Sequence, residues 1–280
     1  MNSPLDHPVL IIAKKEIMDN IRNKWIIIMT LIFAALTILV SYFGSQGEGW
    51  QSLAITIIGM MTLVEYLIPI IGLMLGYAAI VGEIETGSMS AFLSLPVKRF
   101  EIILGKFIGL GGVLSFSILI GFGIAGIIIG FNVSDVDYVQ YVSFIASSIV
   151  LGLVFIALSL FFSSFFKRRS TSMGMSIFLW FFFTMIWGIV MTGIAFMSSN
   201  IDFTSAQGFP DWYFAVNMIN PLSAYGTLVS LSVGPASMME EMISNLYPDY
   251  YTPGLMAVIL FIWMIVFIFL SIWWFKKRDL

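Results

Sequence analysis

Apolar residues run along this chain in six long stretches, broken only by short polar connections. They cover residues 24–44, 54–81, 102–130, 141–166, 171–197 and 254–275. A helix needs about 20 apolar residues to cross the hydrocarbon layer of a bilayer. None of the stretches alternates polar and apolar positions as a barrel strand does. The pattern predicts an all-α integral membrane protein with six transmembrane helices, forming one transmembrane domain over residues 1–280. The first stretch is longer than the apolar part of a signal peptide and no A-x-A site follows it, so it is expected to stay as a span. Glycine pairs at the spacing that lets helices approach closely occur in the second stretch (Gly72/Gly76) and the third (Gly105/Gly109 and Gly126/Gly130).

The connections carry their own pattern. Residues 5–22 set Leu10, Ala13, Ile17 and Ile21 on one helical face, with Pro8 in the first turn. This predicts an amphipathic interfacial helix along the membrane surface; the plainer alternative is a helical flank that only anchors the first span. Residues 82–106, GEIETGSMSAFLSLPVKRFEIILGK, are punctuated by Gly82 and Gly87 and broken by Pro96. Between these lies a short amphipathic stretch whose apolar set is Met89, Phe92, Leu93 and Leu95. An apolar face in water is unfavourable at roughly 25 cal/mol per Å2, so this helix needs a partner or rests on the membrane. The last connection, 198–253, is rich in Phe, Trp and Tyr, as suits the headgroup layer. Residues 215–232 are too short for a span and are interrupted by Asn220-Pro221, which predicts re-entrant or surface-lying helices. Ser237 to Glu240 has capping-box spacing before an acidic helix.

Charge then orients the chain. Only 10% of the 280 residues are charged, against 59% hydrophobic, where a soluble domain carries about a quarter charged. All 13 Lys and Arg fall before the first span, between the second and third, between the fourth and fifth, or after the sixth. The other three connections hold Glu48, Asp135, Asp137, Asp202, Asp211, Glu240, Glu241 and Asp249, and no cation. The positive-inside rule then predicts a multi-pass protein of the cell (inner) membrane with both termini cytoplasmic. The partner common to all these segments is the lipid bilayer, and no nucleic-acid partner is expected.

Candidate chemistry is sparse. Cys is absent and His7 is the one histidine, which leaves no Cys nucleophile, redox pair or Cys/His zinc site. No phosphate loop occurs, since Gly105-Lys106 is followed by Phe107 and lacks the upstream glycine. Ligands for an intramembrane metalloprotease, a membrane histidine and a pair of membrane aspartates are all missing. Glu65 is the sole acid deep in a span, near the break expected at Pro69. It either lines a translocation path, in a watered cavity or protonated, or bonds a neighbouring helix. The 18 Met residues raise soft-metal binding, with Met185, Met191, Met197, Met238, Met239 and Met242 as candidates. Met is equally a filler of apolar cores, and no metal site is expected.

Residues 82–106 also carry a resemblance. Gly82, Glu83, Glu85, Gly87, then Leu93, Ser94 and Pro96, then Arg99, and Gly105-Lys106 opening the third span are similar to the pattern of the ABC transporter type 2 permease family. Ala13, Lys15, Glu16, Asp19, Arg22, Asn23 and Lys24 match its N-terminal pattern. The likeness spans essentially the whole chain. It implies the permease subunit of an ATP-driven exporter, not itself an enzyme, paired with a second permease copy as a homodimer. Two copies of a separate cytoplasmic ATPase would bind the ATP and Mg, so this chain holds no cofactor. The coupling element to the ATPase would comprise Glu83, Glu85, Gly87, Phe92, Leu93, Ser94, Pro96 and Arg99. Glu65, Pro69 and Gly72 would form the path and its hinge, and Asn220, Pro221 and Tyr225 an external gate or dock for an outside accessory protein. The stretches YAAIVGE (77–83), IILGKF (102–107), LIGFG (119–123) and NPLSAYGTLVSLS (220–232) resemble a branch of the family serving metalloenzyme maturation, which implies a copper or sulfur cargo. Lipid, glycolipid or peptide export is the alternative within the family, and an ATP-independent carrier worked by Glu65 the alternative outside it. The sequence departs from the pattern at Glu65, where a small or hydroxyl residue is expected.

Overall fold

The computed structural model describes residues 7–22, 24–43, 50, 53–94, 96–133, 137–198, 210–232 and 247–278. These are helical with no strand among them. In chain order the elements are α1 (Pro8–Arg22), α2 (Trp25–Phe43), α3 (Leu53–Gly76), α4 (Val81–Glu85), α5 (Ser88–Leu93), α6 (Arg99–Asn132) and α7 (Tyr138–Phe165). Then follow α8 (Arg169–Phe181), a π-helical turn (Phe182–Ile186), α9 (Trp187–Ser198), α10 (Asp211–Asn217), α11 (Pro221–Ser232) and α12 (Pro253–Lys277). Six helical segments are long and apolar enough to cross a membrane, at the six stretches anticipated.

The central post is α7, which packs against α3, α6, α11 and α12. Leu151, Val154, Phe155, Ile156 and Ala157 are wholly enclosed. Its hydroxyls do not compromise that burial: Ser148 and Ser164 donate to the carbonyls of Phe144 and Leu160 one turn back. Large apolar side chains on the outside of the bundle, such as Leu31, Ile189, Ile265 and Phe269, remain exposed. Such a surface suits lipid and not water.

Three details differ from the simple pattern. The second stretch breaks after Gly76, and a turn over 77–80 leads into α4. The amides of Ile80 and Val81 both donate to Ser163 Oγ on α7, at 2.8 and 3.0 Å, and Ser172 Oγ donates to the Tyr77 carbonyl at 2.7 Å. Tertiary caps thus replace the helical bonds lost at the break. The fifth stretch is interrupted by the π turn, whose Phe183 carbonyl accepts from Asn220 Nδ2 at 3.0 Å. Within 215–232, α11 packs into the bundle, with Leu222, Ala224, Tyr225, Leu228 and Val229 buried among α3, α7 and α12. By contrast α10 buries none of its residues.

Of the apolar face read for α1, Ala13 is buried and Ile17 half-buried, while Leu10 and Ile21 are exposed; beside them Ile12 and Glu16 are buried against α6. The cause lies in α6, where Gly105 and Gly109 make a groove. A Cβ added at Gly105 would meet Ile12 and the Val9 carbonyl, and one at Gly109 would meet Glu16 Cβ at 2.6 Å. Backbone contact of this kind selects the smallest residue.

Candidate functional site

Two regions concentrate the polar chemistry. At one end of the bundle the four cation-bearing segments meet. Lys106, 1% exposed, donates to Glu16 Oε1 at 2.6 Å and reaches Glu83 Oε1 at 2.9 Å. Lys15 adds a bond to Glu83 at 3.2 Å and lies 3.5 Å from Asp19. Burial works against the Lys15 ammonium, but the carboxylates of Glu16, Glu83 and Asp19 outweigh it and raise its pKa. Glu85 accepts from the Arg169 amide at 2.8 Å, closing the start of α8. Arg99 donates to the carbonyls of Phe275, Lys276 and Arg278 at the end of α12. Arg278 in turn donates to the Ser163 and Ser164 carbonyls at the end of α7.

This places the residues anticipated as the coupling element. Glu83 and Arg99 are half-buried and Glu85 is exposed, and their bonds tie the segment to α1, α6, α8 and α12. Gly87, Ser94 and Pro96 are exposed. Gly87 has φ +76°, a left-handed conformation open to glycine, and it separates α4 from α5. Met89 is buried and joins the core. Phe92 and Leu93 end α5, their side chains outside the described set, as is Leu95. The partners Lys15, Glu16 and Lys106 stood only in the family pattern; nothing in their spacing announced that they meet.

The second region is a cavity of about 340 Å3 bounded by α3, the π turn, α9, α10 and α11. Glu65 reaches into it, and no described cation pairs with it. The carboxylate lies against the backbone of α11: a Cβ at Gly226 would fall 2.5 Å from Glu65 Oε1. Asn220 lines the cavity and holds two elements at once, accepting the Leu222 amide at 2.9 Å while donating to the π turn. Asn217 Oδ1 accepts from Trp187 Nε1 at 3.0 Å and Ser223 Oγ at 3.2 Å. Pro221 is buried, and Tyr225 is fully buried with its hydroxyl 3.1 Å from Ser148 Oγ. Of the residues anticipated for the path, Glu65 shares this cavity with Asn220, 155 positions later, and lies against Gly226 of α11, whereas Gly72 packs against α7.

Pro69 sits inside α3 and removes the amide that would bond the Glu65 carbonyl. The neighbouring Tyr66 carbonyl accepts from Trp180 Nε1 at 3.1 Å. Gly72 is tightly packed, since an added Cβ would lie 3.1 Å from the Gly152 carbonyl. Met191 is buried while Met185 and Met197 are exposed, so these three do not share a surface. Ser237, Met238, Met239, Glu240 and Met242 lie outside the described residues.

The comparisons with known proteins agree with this architecture. Two relatives bear the name "Probable ABC transporter permease protein NosY". That of Stutzerimonas stutzeri is 30% identical over 275 residues, covering 95% of this chain and 97% of its own. That of Pseudomonas aeruginosa is 36% identical over 194 residues, covering 67% and 70%. The model of the family described as ABC-2 family transporter protein matches residues 10–280, and the chain belongs to that family as a membrane-embedded ABC transporter permease.

Proposed function

We propose that this chain is the permease of an ATP-driven exporter, working as a homodimer with two copies of a separate ATPase that holds the ATP and Mg. The observation that carries this is the clamp on α4. Force applied to a loose loop would be lost in the loop. Here Glu83 and Glu85 fix α4 to α1, α6 and α8, so a push on α5 is passed to three helices together. The basic end faces the cytoplasm in this reading, which puts both termini and the α4–α5 segment on the ATPase side. Phe92, Leu93, Ser94 and Pro96 form the contact, and α10 with the start of α11 forms the outer gate, open to an accessory protein outside.

The cargo in this reading follows the likeness to the NosY proteins: a copper or sulfur species for metalloenzyme maturation. Lipid, glycolipid and peptide export are its rivals within the family. An adjacent ATPase gene and one for a secreted β-helix protein would support the first, and a polysaccharide or antibiotic cluster would displace it. The test of the permease itself is co-purification with a P-loop ATPase, abolished by Leu93→Asp; a permease that never captures one sinks the reading and leaves the Glu65 carrier. Orientation is read separately. The chain has no Cys, so a single cysteine at Ser94 or Tyr250, both exposed, labels with an impermeant maleimide from one side only. Ser94→Cys should react from the cytoplasmic side and Tyr250→Cys from outside.

A further inference from the structure

We infer that the cavity around Glu65 is a binding site for a small organic ammonium ion. This concerns binding in the cavity alone and stands apart from the cargo of the permease reading. Among the described residues the cavity holds one carboxylate and no cation, so a positively charged guest is what balances it. A lone carboxylate in a span is costly at roughly 2.5–3.5 kcal/mol, and a guest cation relieves that.

The walls decide which cation. Tyr66, Trp187, Tyr213 and Tyr247 line the cavity, and aromatic rings attract alkylammonium groups. Among the described residues of the lining Met61 is the single thioether, and Ser230 Oγ lies 3.6 Å from its sulfur. Bare Cu(I), which favours several sulfur ligands, is poorly served. The site is held in shape before any guest arrives. Asn217 and Asn220 are fixed by the bonds to Trp187, Ser223 and the π turn, and Gly226 leaves the space the carboxylate uses. Such prior ordering lowers the cost of binding. A volume near 340 Å3 falls at the small end of ligand sites.

Equilibrium dialysis of the purified full chain in detergent against radiolabelled tetramethylammonium, without ATP or ATPase, tests this. Saturable binding is expected, weakened roughly tenfold or more by the isosteric Glu65→Gln. Trp187→Leu should weaken it about threefold to tenfold through loss of a cation–π face. Gly226→Ala, which crowds the carboxylate, should weaken it too. Absence of saturable binding, equal binding by Glu65→Gln, or displacement by sodium or Cu(I) at lower concentration than by propylammonium overturns the inference. Because no ATPase is present, a negative result here leaves the permease reading intact, whereas failure to capture an ATPase leaves this site intact.

Discussion

Replacing Lys106 by methionine should be among the most damaging single changes this chain can take. Met keeps most of the stem volume and removes the charge. Lys106 is 1% exposed and bridges two carboxylates, Glu16 at 2.6 Å and Glu83 at 2.9 Å. Without it those acids share only Lys15, whose side chain is 43% exposed. Removing one partner from a buried ion pair costs about 3–5 kcal/mol. At about 2–4 °C per kcal/mol for a chain of this size class, the melting point should fall by on the order of 6–20 °C. The readout is the temperature at which the detergent-purified protein leaves its monodisperse size-exclusion peak. The cause is separated from mere loss of packing by a second substitution. Adding Glu16→Gln to Lys106→Met removes one of the two acids stranded by the lost ammonium and leaves Lys15 to Glu83 and Asp19, and should recover at least part of the loss. A single-variant shift below about 2 °C, less than 1 kcal/mol on the same scale, would refute the reasoning, and so would two losses that simply add.

Gly109→Val should strip α1 from α6, because its branched side chain meets Glu16 Cβ and the Ala13 carbonyl; a loss of about 1–3 kcal/mol and new protease sensitivity within 8–22 are expected, and an unchanged digest would count against the docking. Arg99→Met leaves three carbonyls at the end of α12 without their donor, and should lower stability by about 1–3 kcal/mol, read as a melting shift that Arg99→Lys restores only in part. Lys15 gives a pH signature. Its folded-state pKa is raised above 10.5, so its contribution is complete below 10.5 and is lost as pH rises through the folded value. The melting point should therefore step down above that pH in the wild type and not in Lys15→Met; identical profiles would exclude the assignment.

The spans were legible because crossing a bilayer demands length and apolarity, both linear properties of a sequence. The shared location of the cations was legible for a similar reason, since topology forces alternate connections to one side. What the residue order hid was pairing. Glu83 and Glu85 looked like charges on an outward loop, yet their partners stand 68 and 84 positions away at Lys15 and Arg169. The docking of α1 on α6 through Ile12, Ala13 and Glu16 was not legible, because hydrophobic periodicity ranks Leu10 above Glu16, and the groove that chooses belongs to α6. Nothing in FFTMI signals a π turn; only Asn220, polar and buried, hints that a carbonyl must be waiting for it. For α11 the sequence left re-entrant and surface-lying arrangements both open, because Leu222, Ala224, Tyr225, Leu228 and Val229 form one apolar face opposite Ser223, Thr227 and Ser230, a pattern that suits either.

The cap on α4 has a consequence for the order in which the chain is made. A five-residue helix has no stability of its own in water. The groups that fix α4 are Ser163 at its start, Lys106 on Glu83 and Arg169 on Glu85, and all three leave the ribosome after it. Lys15 alone comes earlier. The segment proposed to meet the ATPase thus emerges unformed and acquires its shape only when the fourth span is in the membrane and the fifth has begun to enter. A nascent chain cut short before residue 163 carries the sequence of α4 without its fixed shape, so on the proposed function unfinished copies would not sequester an ATPase.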